Sequence, residues 1–189
     1  PDSLLRYAVD WIGQMEGVLE ASIWEQEDYQ RLHLHHRSAN LGWSNELPYD
    51  PEQYPDSHLA KGDVVLIPSW EDDPRLSRFV PFLPEPVKSS MLAPIMGSVA
   101  QFGIIVVHSS RISTFSEQDG NFLRAAANVL GNSIERSRTD LSLRHRLNHD
   151  SLTDLPNRQL FTRRLAEAID SAASREGLVG LLFLDIDHF

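Results

Sequence analysis

The sequence predicts an α+β chain: a helix, two antiparallel hairpins, a long helix, and then the start of a second unit of α/β pattern. Three observations predict it. Apolar residues recur at helical spacing from Leu4 and again from Leu123. Between these stretches, apolar runs of strand length come in two pairs, each pair joined by a short turn. The chain then closes on a further helical pattern and the apolar run Leu181-Leu182-Phe183-Leu184, which leads into Asp185-Ile186-Asp187.

The first helix is predicted from Leu4, Leu5, Ala8, Trp11, Ile12, Met15, Val18 and Leu19, with Asp2 or Ser3 to cap it and Gly17 to stop it. The period then shortens to two. Leu19, Ala21 and Ile23 alternate with Glu20, Ser22 and Trp24. After the polar turn 25–28, Leu32 and Leu34 share one face and Arg31, His33 and His35 the other. Residues 48–86 hold 8 of the 11 prolines, which forbids a long helix or a central strand there. The stretch keeps Tyr49, Tyr54, Trp70, Phe79 and Phe82, and a strand-like run at 64–67. An ordered, irregular covering layer is expected, the kind of place where ligand pockets form. Met91–Met96, a turn at Gly97-Ser98 and Phe102–Val107 make the second hairpin. Its second strand is apolar on both faces, as a strand covered on both sides would be, while Pro94 favours an edge or a bulge in its partner.

Ser116-Glu117-Gln118-Asp119 is a capping box with Asp in place of Glu. No proline interrupts the chain from there to Pro156. Leu123, Ala126, Ala127, Leu130, Ile134, Ser137 and Leu141 continue one stripe, so a helix is expected from Glu117 to about Asn148. At ~1.5 Å per residue it would be roughly 48 Å long, more than a compact domain of this size needs. Its second half is therefore expected to leave the domain.

Composition bounds the function. The 189 residues are 41% hydrophobic and 23% charged, the balance of a soluble globular protein. No apolar run approaches the ~20 residues that span a bilayer, and the N-terminus shows no basic region of a secretory signal. There is no cysteine, which excludes disulfides, thiolate metal sites, a cysteine nucleophile and thioether-linked cofactors; a cytoplasmic location is the expectation. The net charge is −10. Residues 1–135 carry 9 of the 17 Lys and Arg but 19 of the 27 acidic residues, whereas 136–189 carry 8 of each. The acidic part would repel a phosphate backbone, so no nucleic-acid partner is expected, and the change of balance marks a boundary near 136.

The element order resembles that of a GAF domain, and local residues agree: Asp73-Pro74-Arg75 after the Ile67-Pro68 strand end, Ser90–Ile95 leading to Phe102–Val107, then Arg111, Phe115–Asp119 and the helix from Ala125 to Arg136. The resemblance covers residues 1–136. It implies an antiparallel sheet flanked by helices, with a small-molecule pocket or its remnant and a ligand that the sequence does not name. Residues 149–161, His149-Asp150-Ser151-Leu152-Thr153-Asp154-Leu155-Pro156-Asn157-Arg158-Gln159-Leu160-Phe161, closely resemble the start of a GGDEF domain, the diguanylate cyclase module. Asp154 stands where many relatives have Gly. A helix with Phe161, Leu165, Ala168, Ile169 and Ala172 on one side follows, and Leu181–Leu184 resembles the family's first core strand. On this reading 1–136 is a GAF sensor domain, 137–150 a helical signalling linker, and 151–189 a truncated GGDEF domain.

Carried over by that resemblance, the Asp185 carboxylate and Ile186 carbonyl become Mg²⁺ ligands, and the backbone N–H groups of His188 and Phe189 contact the phosphates of GTP. The family makes cyclic di-GMP from GTP, and the implied protein is a diguanylate cyclase regulated by its GAF domain. The alternatives are a GAF module of a degenerate GGDEF or GGDEF–EAL protein, and a GAF domain that serves only dimerisation through a collapsed pocket. The apolar stripe passes the end of its own domain. Ile134, Ser137 and Leu141, with Leu147 beyond, are therefore expected to lack an intramolecular partner and to pair in a parallel homodimer, weakened by Ser133, Ser137 and Arg144. The strand at 181–184 has no partner strand in 151–189, so that segment is not expected to fold as an independent domain.

Further candidates have a chemical and a structural reading each. Arg31, His33, His35 and His36 offer metal or haem ligands, or a polar strand face. Trp43 and Trp70 stack on a ligand or fill space under the proline-rich cover. Glu71-Asp72-Asp73 holds Ca²⁺ or forms a solvated turn. Phe115 and Asp119 fit part of the cyclic-nucleotide GAF signature, whose Asn-Lys element and following Glu are missing.

Overall fold

The first helix, α1, runs over Asp2–Ile12 and buries Leu5, Val9 and Ile12, one residue per turn on one side. A computed structural model describes the chain apart from residues 1, 28–29, 40, 43, 54, 77–78, 80, 82, 84, 99, 175–176, 183 and 185–189, and the side chains of Leu141 and Arg144. The helix ends earlier than Gly17, in a turn that begins at Gly13, and Val9 rather than Trp11 belongs to its core face; Trp11 is half exposed. Both faces satisfy the helical period. Contact with the sheet selects the one carrying Val9.

Six strands follow: β1 (Glu20–Gln26), β2 (Arg31–Arg37), β3 (Glu46–Pro48), β4 (Val65–Ile67), β5 (Ser89–Met96) and β6 (Gln101–Ser109). They form one antiparallel sheet in the order β3-β2-β1-β6-β5-β4. The proline-rich stretch supplies β3, β4, a one-turn helix α2 (Asp56–Leu59) and a 3₁₀ turn at Pro74–Leu76, its other described residues forming turns and irregular chain. β4 is bonded to Ser90–Leu92 only, so Pro94 lies where β5 has β6 alone as neighbour, and a register shift follows at Ile95/Met96. A missing N–H donor is tolerated in such an edge segment.

β1 and β6 are buried on both faces. Ala21, Ile23, Ile105 and Val107 join α1 and the long helix in one core, while Trp24, Ile104 and Val106 join the proline-rich cover in the other. The alternation in β1 thus separates two cores rather than core from water, with Glu20 and Ser22 buried as well. The two strands approach closely at Gly103, where a Cβ would lie 2.0 Å from the Trp24 carbonyl oxygen.

The long helix α3 spans Glu117–Asn148, the limits expected from its cap and its stripe. Ser116 Oγ accepts from the Asp119 amide, and the Asp119 carboxylate accepts from the Ser116 amide at 2.8 Å and its hydroxyl at 2.6 Å, which closes the capping box. Leu123, Ala127, Leu130 and Ile134 are buried against the sheet. Ile134 is therefore not free for a second chain: it belongs to the domain's own core, and the stripe leaves the domain only after it. Ser137 is half-buried, Leu143 and Leu147 are exposed, and the Leu141 side chain lies outside the described residues. Gly131 sits directly on β5, where a Cβ would lie 2.2 Å from the Met96 carbonyl oxygen.

The chain divides into compact units 1–137 and 138–189. In the second, the end of α3 is followed by a turn and by α4 (Arg158–Ala173). Leu160 is its buried residue, whereas Phe161 and Ile169 are substantially exposed. The strand expected at 181–184 is not formed among the described residues. Leu181, Leu182 and Leu184 are irregular and exposed, as befits a strand with no described neighbour to bond its N–H and C=O groups.

Candidate functional site

On the sheet face opposite α1 and α3, beneath the proline-rich cover, lies a largely apolar cavity of about 40 Å³. Leu32, Leu92, Ile104 and Val106 from the sheet and Trp70, Phe79 and Leu83 from the cover line it, with His108 and Asp56 as its polar members. Trp70 Nε1 donates to Ser90 Oγ at 2.7 Å, and Ser90 Oγ lies 2.6 Å from His108 Nδ1. The Ser90–His108 bond runs from the hydroxyl to Nδ1 in the neutral tautomer that carries its hydrogen on Nε2. Burial pushes the His108 pKa down from 6.5 to about 3, because the charged imidazolium would lose its hydration among apolar neighbours. Asp56 accepts from the Asp50 amide at 2.8 Å and, with burial as the larger cause, holds the Tyr49 phenol above its usual range.

The histidines of β2 do not converge. His33 lies 3.8 Å from both Glu27 and Glu46, His35 is 3.9 Å from Asp2, and His36 is 3.4 Å from Asp10. Each imidazole faces a carboxylate; His33 is half exposed, as on a polar strand face, whereas His35 is mostly buried and lies edge-on to Phe102. Trp70 fills space under the cover, edge-on to Phe79 at 6.0 Å; Trp43 lies outside the described residues. In the acidic turn, Lys88 bonds Glu71 at 2.7 Å and Arg75 bonds Asp73 at 2.6 Å, so two of the three carboxylates are engaged by cations of the chain. Those bonds raise the Lys88 pKa and lower that of Asp73. Phe115 packs with the helix-side core and Asp119 caps α3, on the other side of the sheet from the cavity.

The turn between α3 and α4 explains its own sequence. Asp150 Oδ1 accepts from the amides of Leu152 and Thr153 and from the Thr153 hydroxyl, all within 3.2 Å, and these bonds lower the Asp150 pKa. The Asp150 amide donates to the Leu155 carbonyl. Asn157 caps α4 by accepting from the Leu160 amide at 3.0 Å, while its Nδ2 donates to the Leu147 carbonyl at 2.8 Å. One side chain thus ends one helix and begins the next. Asp154 has φ +58°, the left-handed region, which is why a Gly would serve there and why Asp, tolerant of that region, can replace it. His145 Nε2 lies 2.6 Å from Asp154 Oδ1, and His149 Nδ1 lies 2.8 Å from the Asp154 carbonyl oxygen. The two imidazole rings stack 4.1 Å apart.

The GAF domain family matches residues 1–134. The chain belongs to that family. Its GAF region is followed at 147–189 by a match to "Diguanylate cyclase, GGDEF domain". Among curated proteins, the diguanylate cyclase TpbB of Pseudomonas aeruginosa is 46% identical over 48 residues, 25% of this chain and 11% of that protein. The bifunctional diguanylate cyclase/cyclic di-GMP phosphodiesterase MucR of the same species is 40% identical over 67 residues, 35% of this chain and 10% of that protein. The chain thus spans about a tenth of the length of these relatives. Of solved structures, the free methionine-R-sulfoxide reductase of Neisseria meningitidis has a TM-score of 0.63 at 17% identity, covering 74% of this chain and 80% of its own. The phycocyanobilin-bound GAF domain of a cyanobacterial phytochrome has a TM-score of 0.60 at 17% identity, covering 74% and 86%. At such identities the likeness is one of fold.

The residues carried over for GGDEF chemistry, Asp185, Ile186, His188 and Phe189, lie outside the described residues. Sequence reasoning did not single out the Trp70–Ser90–His108 network of the GAF cavity. Its one signal was a histidine continuing the apolar run 102–107 of β6. It also passed over the pairing of His145 with His149, whose four-residue spacing on a helix is a visible signature.

Proposed function

We propose that this chain is the sensory or regulatory GAF region of a cyclic di-GMP signalling protein, set ahead of a diguanylate cyclase output that condenses GTP. The observation that carries the reading is α3, which begins on the GAF core at Glu117 and runs unbroken to Asn148, next to the GGDEF-like turn. A helix shared by both units is a covalent route from sheet to output. The resemblance assigns Asp185 and Ile186 to Mg²⁺, and the amides of His188 and Phe189 to GTP phosphates. Mg²⁺ bound there would supply charge neutralisation at the phosphates. A parallel homodimer through α3 is part of the proposal. Exposed Val129, Leu143 and Leu147 support it in place of Ile134. A cytoplasmic location rests on the cysteine-free sequence.

Two observations favour other versions. The cavity of about 40 Å³ holds a few waters, whereas small-molecule sites run to ~300 Å³ or more. This favours a GAF region that works through its helices with a closed pocket. The likeness to MucR favours a protein with a phosphodiesterase as well as a cyclase.

The test fuses residues 1–157 to the catalytic domain of TpbB in place of its own N-terminal region and measures cyclic di-GMP formed from GTP and Mg²⁺. Activity above that of the isolated catalytic domain, lost in Leu143→Arg, is expected. Sensitivity to Trp70→Phe would add ligand sensing, and insensitivity would assign the GAF region to assembly. A fusion no more active than the isolated domain would refute the regulatory reading.

A further inference from the structure

We propose that His145, His149 and Asp154 form a binding site for a divalent transition cation of the Zn²⁺ type. One ligand atom from each of the three lies within 4.8 Å of the others. Two come from a single helix face: the His149 amide donates to the His145 carbonyl at 2.9 Å, so the two imidazoles stand one turn apart. The third comes from a turn held in place by Asp150, whose backbone carbonyl accepts from the Asp154 amide at 2.9 Å. Backbone bonds thus fix where the three residues sit, and the two imidazoles, stacked at 4.1 Å, have to turn about their side-chain bonds to aim at one ion.

The donor set selects the ion. Two imidazoles and one carboxylate suit Zn²⁺ and its neighbours, and leave a fourth position for water; Mg²⁺ and Ca²⁺ prefer oxygen ligands alone. The Asp154 carbonyl supports one ligand. By accepting from His149 Nδ1–H it fixes the tautomer in which Nε2 carries the lone pair, the usual outer partner of a metal-bound histidine. His145 Nε2 and Asp154 Oδ1 share a proton at 2.6 Å, and an ion replacing that proton needs the pair to open to about 3 Å, given bonds of ~2.0–2.2 Å. Exposed side chains can make such a movement. Chelation would clasp the last turn of α3 to the turn ahead of α4. Aspartate at position 154 supplies the third ligand, which a glycine there could not.

The experiment uses the full chain, stripped with chelator and dialysed. ZnCl₂ is titrated calorimetrically at neutral pH and CoCl₂ is followed by visible absorption. Expected are saturable binding of one ion, cobalt bands displaced by Zn²⁺, and Zn²⁺-dependent shifts in the imidazole resonances of His145 and His149. His145→Ala, His149→Ala and Asp154→Gly should each weaken binding at least tenfold. Replacing His33, His35 and His36 together by Gln should leave it unchanged. Asp154→Gly keeps the left-handed turn, so its far-ultraviolet circular dichroism should match that of the unaltered chain. No saturable binding, or binding indifferent to the three substitutions, would overturn the proposal.

Discussion

Lowering the pH from 7 to 4.5 should destabilise the GAF unit through one buried histidine. In the folded chain the His108 imidazole has a pKa of about 3, depressed by burial from the ordinary 6.5 it regains on unfolding. Between those values the unfolded chain holds a proton that the folded chain does not, so stability falls as pH falls through 6.5 and levels off near 3. Two pH units below 6.5 correspond to about 3 kcal/mol, since each unit is worth ~1.4. The groups facing the ring are Ser90 and Trp70, with Asp56 on the same cavity and Glu20 opposite on β1. An ionised carboxylate in either acid would narrow the window from below. Urea unfolding at both pH values, on the chain and on His108→Gln, isolates the effect, because the other histidines contribute equally to both. The variant should lose most of the acid-side decline. Equal pH dependence in the two proteins would refute the assignment.

Gly131→Ala should destabilise by about 1–3 kcal/mol despite the better helix propensity of alanine, because its methyl would meet the Met96 carbonyl at 2.2 Å and helix or strand must move. Thermal unfolding checks it, and a stabilised variant would contradict the close seating of α3. Asn157→Ala should remove the cap of α4, costing about 1 kcal/mol, and raise amide exchange at Leu160 and Phe161 about fivefold. Unchanged exchange would show that the cap contributes nothing.

The elements legible in the sequence were those set by local chemistry. The capping box at Ser116 fixed the start of α3, because a cap acts within a turn, and the proline-free apolar stripe beyond it carried the helix to its far end. Both hairpins were visible as paired runs. The rest depended on contacts between distant residues. Leu5–Val9–Ile12 and Leu4–Trp11 both fit a helix, and only the sheet decides between them. Ile134 reads equally as the last core residue or the first seam residue, and the sheet claims it. The Trp70–Ser90–His108 network joins three segments whose proximity no local pattern encodes. The apolar run at 181–184 has strand chemistry without a described strand beside it, and propensity alone does not make a ladder.

Between Ile134, the last α3 residue in the GAF core, and Leu147, whose carbonyl Asn157 holds, the helix crosses a stretch in which residues 138–140, 142 and 143 are all exposed. Formed helix on both sides removes the nucleation cost there, but within one chain the described residues 138–140, 142 and 143 have no core to add to its stability. Such a span sits near balance between helix and coil, and near balance response is steepest: ~1.4 kcal/mol from any source changes the ratio tenfold. The middle of α3 is therefore its compliant element, rigid enough to carry a twist when helical and able to uncouple the two ends when a turn melts.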